Sequence, residues 1–212
     1  MIELLKLLPL FLVAFVVHEF AHAWTAVKLG DTLPAEQGRV SLKPLRHLEI
    51  WGSVVVPLAS LVLTWGHLMF AFAKPVMFRP EACRNPRLAV GVVGVAGPAA
   101  NLALAMVSML SVGLDWVGDG ASDIVIQFGV VNAFLAVFNM IPVPPLDGSR
   151  VVAALLPERA RERYLGNELA TLGIAAVLVI GADVVLDFDF LELLFDGAVF
   201  PLLEAVMALV SS

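Results

Sequence analysis

The stretch FVVHEFAHAW, residues 15–24, places two histidines and a glutamate directly after the apolar run Leu7–Val17. On a helix, His18 and His22 lie one turn apart on the same face. Two imidazoles in that arrangement can bind one zinc ion, and Glu19 between them can take a proton from metal-bound water. An ionisable group at bilayer depth costs about 2.5–3.5 kcal/mol or more, so three together indicate a shared partner. The stretch therefore predicts a metal site inside an apolar helix.

The composition is that of a membrane protein. The 212 residues are 60% hydrophobic and 15% charged, with a mean hydropathy of +0.92, far above the apolar share of ordinary soluble domains. Six apolar segments approach the ~20 residues that an α-helix needs to cross a bilayer. They are approximately Leu4–Leu29, Val54–Ala73, Leu88–Leu114, Ile124–Ile141, Leu169–Leu186 and Phe190–Val210. We expect an all-α polytopic membrane protein, a bundle of about five to six transmembrane helices, in a single domain over residues 1–212.

Other classes of protein are disfavoured. The formal net charge of −6 says little about partners, because a multispan protein arranges its charges by side of the membrane. Nothing in the sequence indicates binding of nucleic acid. Cys83 is the only cysteine, so no internal disulfide is possible. A secretory signal would explain the small-x-small triplet at 21–23, but the apolar character continues to Leu29 and a signal needs no histidine or glutamate.

A catalytic zinc site usually takes three protein ligands and leaves one position for water. His47 in a polar connection and His67 in an apolar segment are less favoured as the third ligand than an acid. Asp147 lies in NMIPVPPLDG, residues 139–148, where three prolines end the helix that begins near Ile124. Prolines at this density leave backbone carbonyls without helical hydrogen-bond partners. At membrane depth this is tolerated only where the backbone is buried in protein or lines a wet cavity. Taken alone, the stretch is explained equally well by a plain helix end with an Asp-Gly turn.

Three stretches together resemble the signature elements of the site-2 protease family of intramembrane zinc metalloproteases. They are HEFAH at 18–22, GPAAN at 97–101 and NMIPVPPLDG at 139–148, in the order of that family. GRVSLKPLRH at 38–47 and AKPV at 73–76 add likeness to its compact bacterial branch, which lacks PDZ and CBS domains. Lys-Pro within the first of these departs from the Asn-Pro expected in that branch. The resemblance covers roughly residues 10–150. We expect the core of the domain over residues 1–150 and C-terminal helices over 165–212.

The resemblance implies a metal centre and a reaction. It implies one Zn²⁺ per chain, with His18, His22 and Asp147 as ligands. Glu19 is then the catalytic acid and base, and Asn139 is a polar contact near the reacting peptide. The implied activity is endopeptidase cleavage within or near a transmembrane segment of a membrane-tethered protein, so the expected partners are that substrate and the lipid bilayer.

Two further stretches are candidates for supporting roles. Small residues three apart at 91–97 permit the helix that carries Asn101 to pack closely against the first helix. Asn101 would then brace the site by hydrogen bonding. Alternating polar and apolar residues in Arg39–Lys43 predict a short strand, whose free edge would hold an extended substrate along Val40, Ser41 and Leu42. An ordinary amphipathic turn fits that alternation equally well.

The positive charges predict the topology. Twelve of the thirteen Lys and Arg fall in three stretches, 28–46, 74–87 and 150–163. By the positive-inside rule all three are cytoplasmic. Residues 39–73 should then enter the membrane and return to the same side, as a re-entrant β-hairpin or loop. We therefore expect a multi-pass protein of a bacterial-type cell membrane with its active site near the cytoplasmic face.

Two other functions use the same residues. In a metal transporter or channel, His18, Glu19 and His22 would form an ion path, but NMIPVPPLDG would then have no evident purpose. In a non-catalytic membrane scaffold, Glu19 would have no purpose.

Overall fold

The computed structural model describes residues 2–47, 77–167, 171, 173–174 and 189–211. This part of the chain is helical, and no strand occurs within it. Its helices are α1 (Ile2–Leu29), α2 (Leu33–Glu36), α3 (Pro86–Gly113), α4 (Asp119–Asn139), α5 (Asp147–Leu155), α6 (Glu158–Leu165), α7 (Phe190–Leu194) and α8 (Phe200–Ser211). Short 3₁₀ turns occupy Pro44–Arg46 and Pro80–Ala82, and the π-helical turn Phe195–Val199 joins α7 to α8.

Within the described ranges, three helical segments are long and apolar enough to cross a membrane. They are Leu7–Leu29, Pro86–Gly113 and Gly120–Asn139. The protein is therefore a membrane protein, and three of the six apolar segments form candidate spans. Val54–Ala73 and nearly all of Leu169–Leu186 lie outside the described residues, as does most of the expected re-entrant segment. A total of five to six spanning helices stays a prediction.

Residues at the helix ends explain where two of the long helices stop and start. α1 ends before Gly30, whose φ of +116° lies in a region that L side chains rarely adopt. α3 begins after Asn85, whose side-chain oxygen accepts a hydrogen bond from the Leu88 amide at 3.2 Å. Pro86 occupies the first helical position of α3, where its missing N–H costs nothing.

α3 is the central helix of the described bundle and packs against α1, α4, α5 and α8. One apolar cluster joins α3 and α4 to the C-terminal helices. Its buried members are Ala105, Met109, Ala133, Val199, Leu203 and Val206. Stacked rings extend it, since Phe134 and Phe195 have centroids 5.3 Å apart. Buried polar side chains meet at another place in the bundle, among α1, α3, α4 and α5.

The strand expected at Arg39–Lys43 is not formed, because these residues make an irregular loop. The Ser41 amide donates to the Arg39 carbonyl at 2.9 Å, which turns the backbone instead of extending it. The buried Arg39 guanidinium donates to the Arg46 carbonyl at 2.6 Å, and His47 Nε2 lies 2.7 Å from the Ser41 carbonyl oxygen. These tertiary contacts close the loop on itself and override the short alternating pattern.

A buried carboxylate joins the end of α1 to the connection that precedes α3. Asp31 is fully buried and accepts hydrogen bonds from the amides of Leu33 and Arg79, at 3.0 and 2.6 Å. The Arg79 guanidinium donates to the same carboxylate at 3.2 and 3.3 Å. Burial alone raises the pKa of Asp31, but these hydrogen bonds and the Arg79 charge outweigh it, so the pKa lies below its usual value.

This arrangement predicts a loss of stability in acid. A carboxyl whose pKa is lowered by folding adds stability above its unfolded pKa, and that stability is lost as pH falls through the folded pKa. We expect the thermal unfolding midpoint of the detergent-solubilised protein to decrease as the pH is lowered below about 4. Asp31→Asn should be less stable at pH 7 by about 1–3 kcal/mol and should depend less on acid pH.

Glu81→Gln is the control, because it removes an exposed acid from the same connection. Its thermal midpoint should follow that of the wild type at every pH. An Asp31→Asn protein as stable as the wild type at pH 7, with the same acid dependence, would contradict the assignment.

Candidate metal centre

Three ligand-type atoms converge between α1 and α5. His18 Nε2 lies 3.0 Å from Asp147 Oδ2, and His22 Nε2 lies 3.1 Å from the same oxygen. The two Nε2 atoms are 3.0 Å apart. All three side chains are buried, although Asp147 lies 125 positions beyond His22 in the chain. The structure therefore brings together the three residues expected as zinc ligands.

The Nδ1 atom of each imidazole faces a hydrogen-bond acceptor. His18 Nδ1 lies 2.5 Å from Asn101 Oδ1, and His22 Nδ1 lies 2.6 Å from the Val93 carbonyl oxygen. Each Nδ1 therefore carries the proton, and a neutral imidazole then presents a lone pair at Nε2. Two such lone pairs and a carboxylate oxygen repel one another at these separations unless a positive charge lies among them.

The donor set fits zinc. Zinc binds imidazole nitrogen and carboxylate oxygen at about 2.0–2.2 Å in a tetrahedron, whose corners are then about 3.4 Å apart. The observed separations of 3.0 and 3.1 Å are a few tenths of an ångström shorter, so small ring rotations would admit the ion.

Two glycines of α3 allow α5, the helix that begins with Asp147, to lie directly against it. A Cβ atom at Gly91 would lie 2.9 Å from the Ala154 Cβ, and one at Gly94 would lie 2.8 Å from the Arg150 Cβ. Neither position has room for a side chain. The row of small residues does serve close packing, as the sequence indicates, but these two members face α5 instead of α1.

Arginines hold both ends of α5. Arg87 donates from Nε to the Ala154 carbonyl at 2.6 Å and from Nη2 to the Leu155 carbonyl at 2.7 Å. These two carbonyls belong to the last turn of α5, where a cation is favoured. At the other end, Arg150 Nη1 donates to Asp147 Oδ1 at 3.3 Å, which leaves Oδ2 to face the histidines.

The glycine after Asp147 fixes the start of α5 against the end of α4. A Cβ atom at Gly148 would lie 2.2 Å from the Met140 carbonyl oxygen and 2.7 Å from the Ile141 carbonyl oxygen. Only a residue without a side chain can approach the backbone so closely. The Asp-Gly pair, which read alone suggests a simple turn, is therefore a packing contact that positions the carboxylate.

The other predicted residues lie on α1, on α3, on α4 and in the loop that follows α2. Glu19 is half-buried on α1 between the two histidines, and Asn101 is fully buried beside His18. Asn139 ends α4, and its amide donates to the Leu135 carbonyl at 3.0 Å within the same helix. The stretch 40–42 lies in the irregular loop described above.

Sequence reasoning missed three contributors. Asn132 is fully buried in α4 and accepts a hydrogen bond from Asn101. Its signal was a polar residue in the middle of an apolar segment, which usually marks a functional or bracing position in membranes. Arg87 and the Val93 carbonyl gave no signal, because their roles depend on tertiary contacts alone.

Two buried histidines and a glutamate on a helix apolar enough to span a membrane, with a buried aspartate brought against them from another helix, define the class of membrane zinc metallopeptidases. Comparison with known proteins agrees. The sequence profile of Peptidase family M50 matches residues 114–181. YwhC of Bacillus subtilis is 33% identical over 166 residues, which cover 74% of this chain and 72% of YwhC. The chain belongs to the M50 family and is a zinc metalloprotease.

Mycobacterial proteins named Rip2 are also similar. Rip2 of Mycolicibacterium smegmatis is 27% identical over 189 residues, which cover 87% of this chain and 69% of that protein. Rip2 of Mycobacterium tuberculosis is 35% identical over 154 residues, which cover 69% of this chain and 54% of that protein. YwhC and Rip2 are all provisionally named zinc metalloproteases. No solved structure matches the chain at a significant level.

Proposed function

We propose that the protein is an intramembrane endopeptidase that hydrolyses a peptide bond within or near a transmembrane segment of a membrane-tethered substrate. The observation that carries this proposal is the position of His18 and His22, two of the three proposed ligands, on Leu7–Leu29, a candidate membrane span. His22 lies seven residues before the end of α1, which corresponds to about 10 Å along the helix. A hydrolytic site at that depth is suited to a peptide that is itself in the membrane.

Each residue of the centre has a proposed role. Zinc held by His18, His22 and Asp147 would supply activated water at neutral pH. Glu19 would accept a proton from water at this centre and would donate one to the departing amine. Asn139 is the proposed hydrogen-bond donor to the carbonyl under attack.

The substrate must be extended before it is cut. A transmembrane helix hides its amides in internal hydrogen bonds, so cleavage requires local unwinding. We propose that the loop formed by Val40, Ser41 and Leu42 offers backbone and side-chain contacts to the unwound chain. Its Leu42 side chain is 59% exposed, which supports an apolar contact with a substrate.

The topology proposal is a single multi-pass domain in a bacterial-type cell membrane, with the centre near the cytoplasmic face. Its support is that contacts link the three basic stretches. Arg79 binds Asp31, three residues after Lys28 of the first stretch. Arg87 binds carbonyls of α5, the helix that opens the third stretch. Basic stretches on one side of a membrane satisfy the positive-inside rule.

The test of the activity is Glu19→Gln. Proton transfer by a positioned side chain contributes about 10²–10⁴-fold, so we expect cleavage to fall by that factor while zinc content stays at the wild-type level. The substrates are a set of reporters in proteoliposomes, each with a single transmembrane helix of different sequence. Glu36→Gln, at an exposed acid of α2, is the matched control and should cut as the wild type does.

Two outcomes would count against the proposal. Undiminished cleavage by Glu19→Gln would remove its proposed role. Zinc flux through wild-type proteoliposomes, without cleavage of any reporter, would favour the transporter alternative instead.

A further inference from the structure

Asn132 lies one hydrogen bond beyond Asn101 and is fully buried in the candidate span Gly120–Asn139. An unpaired amide at that depth would cost several kcal/mol, so its partners carry information. Its Nδ2 donates to the Phe128 carbonyl at 2.8 Å. Its Oδ1 accepts from Asn101 Nδ2, also at 2.8 Å. Asn132 therefore links the backbone of α4 to a side chain of α3.

Asn101 continues this link to a zinc ligand. Its Nδ2 donates a second hydrogen bond to the Ala14 carbonyl of α1 at 3.1 Å. Its Oδ1 faces His18 Nδ1 at 2.5 Å. Asn101 is also fully buried, and its hydrogen-bond partners lie on α1 and α4.

The direction of the chain of hydrogen bonds is fixed by two backbone carbonyls. A carbonyl oxygen only accepts, so the NH₂ group of Asn132 must face Phe128 and that of Asn101 must face Ala14. The oxygen of Asn101 is then the atom that faces His18, and it accepts from Nδ1–H. With its proton at Nδ1, His18 presents the Nε2 lone pair toward Asp147.

We propose that Asn132 is a positioning residue for the metal ligand His18 and acts through Asn101. This inference rests on the proposed zinc centre and deepens it. Without the Asn132 oxygen, one N–H of Asn101 loses its acceptor, and rotation of the Asn101 amide is no longer opposed from both sides. The reversed amide would present NH₂ to Nδ1, which then has to accept. His18 would carry its proton at Nε2, where it blocks metal binding.

A purely structural role for Asn132 predicts something different. If the residue only joined α3 to α4, its loss would lower the stability of the protein without changing the zinc affinity of the folded form. The zinc dissociation constant and the tautomer of His18 therefore distinguish the two roles. Neither measurement requires a peptide substrate.

The experiment compares wild type, Asn132→Ala and Asn132→Asp by competition between the purified protein and a zinc chelator. Outer partners of metal-bound histidines are commonly worth 10–100-fold in metal affinity, so Asn132→Ala should raise the zinc dissociation constant by at least about tenfold. Asn132→Asp keeps an acceptor oxygen toward Asn101 and should lie nearer to wild type. If Asn132→Ala does not fold, Asn132→Leu, which removes the same polar atoms from a side chain of similar size, takes its place and should weaken zinc binding by a similar factor.

The matched control is Ser108→Ala. Ser108 is a buried polar residue of α3 whose hydroxyl donates to the Leu104 carbonyl of its own helix at 2.8 Å. Its removal should leave the zinc dissociation constant unchanged. Nitrogen-15 spectra of histidine in the zinc-free protein should show the Nδ1–H tautomer of His18 in wild type and in Ser108→Ala, and its loss in Asn132→Ala.

The outcomes separate this inference from the proposed function. Equal zinc affinity and the same tautomer in wild type and both Asn132 variants would overturn the positioning role and leave the protease proposal standing. If the wild-type protein binds zinc but cuts no reporter, and Asn132→Ala weakens the zinc binding, the positioning role is supported while the proposed activity fails.

Discussion

Gly97→Ala is expected to abolish zinc binding and proteolysis together. A Cβ atom at this position of α3 would lie 2.4 Å from His22 Nε2 and 2.6 Å from His18 Nε2. These are the two nitrogens that face Asp147. The rings have little freedom to retreat, because Asn101 holds one at Nδ1 and the Val93 carbonyl holds the other. A single methyl group would therefore displace the ligand atoms themselves.

The measurement is the zinc content of the purified protein by mass spectrometry of the metal. Wild type should carry about one zinc per chain, and Gly97→Ala should carry almost none. Gly120→Ala is the matched control, since a Cβ atom there meets nothing within 4 Å. Full zinc content in Gly97→Ala would show that the rings and the metal lie elsewhere.

Asp147→Asn is expected to reduce zinc binding and proteolysis about as much as Gly97→Ala does, for a different physical reason. The change removes the anionic ligand and leaves two neutral imidazoles, which bind zinc far more weakly than a complete three-ligand site. The fold should persist, because Arg87 and the glycines of α3 still hold α5. We therefore expect a folded protein that loses zinc during purification and does not cut.

Asp123→Asn controls for the loss of a carboxylate, since Asp123 is exposed on α4. Zinc content and helical circular dichroism together test the prediction. If Asp147→Asn retained stoichiometric zinc, the third ligand would have to be another residue.

The residues alone were sufficient to predict that His18 and His22 share one helical face and that three of the apolar segments form long helices. HEFAH predicts its own geometry because four residues make about one helical turn, whatever surrounds the helix. Asp147 was harder to predict from the residues alone, since a turn explained its surroundings equally well. Its meeting with the histidines depends on how α5 lies against α3, which no local pattern encodes.

At Arg39–Lys43 the alternation fitted a strand and an amphipathic turn equally well, and the structure has no strand there. Five alternating residues are too few to specify a strand when a buried guanidinium and an imidazole offer the backbone other partners. Asn132 presents the converse case, since its polarity was visible in the sequence while its partner was not. The direction of its hydrogen bonds required two backbone carbonyls from separate helices.

The glycines of α3 have one more consequence. Gly94 lies against the helix of Asp147, and Gly97, one turn later, lies against both histidines. A single helix thus sets the spacing between proposed metal ligands that lie about 125 residues apart in the chain. Sequence changes at the lipid-facing surface or in the C-terminal helices can then accumulate without altering that spacing, whereas an added methyl group on this helix cannot be compensated from a distance.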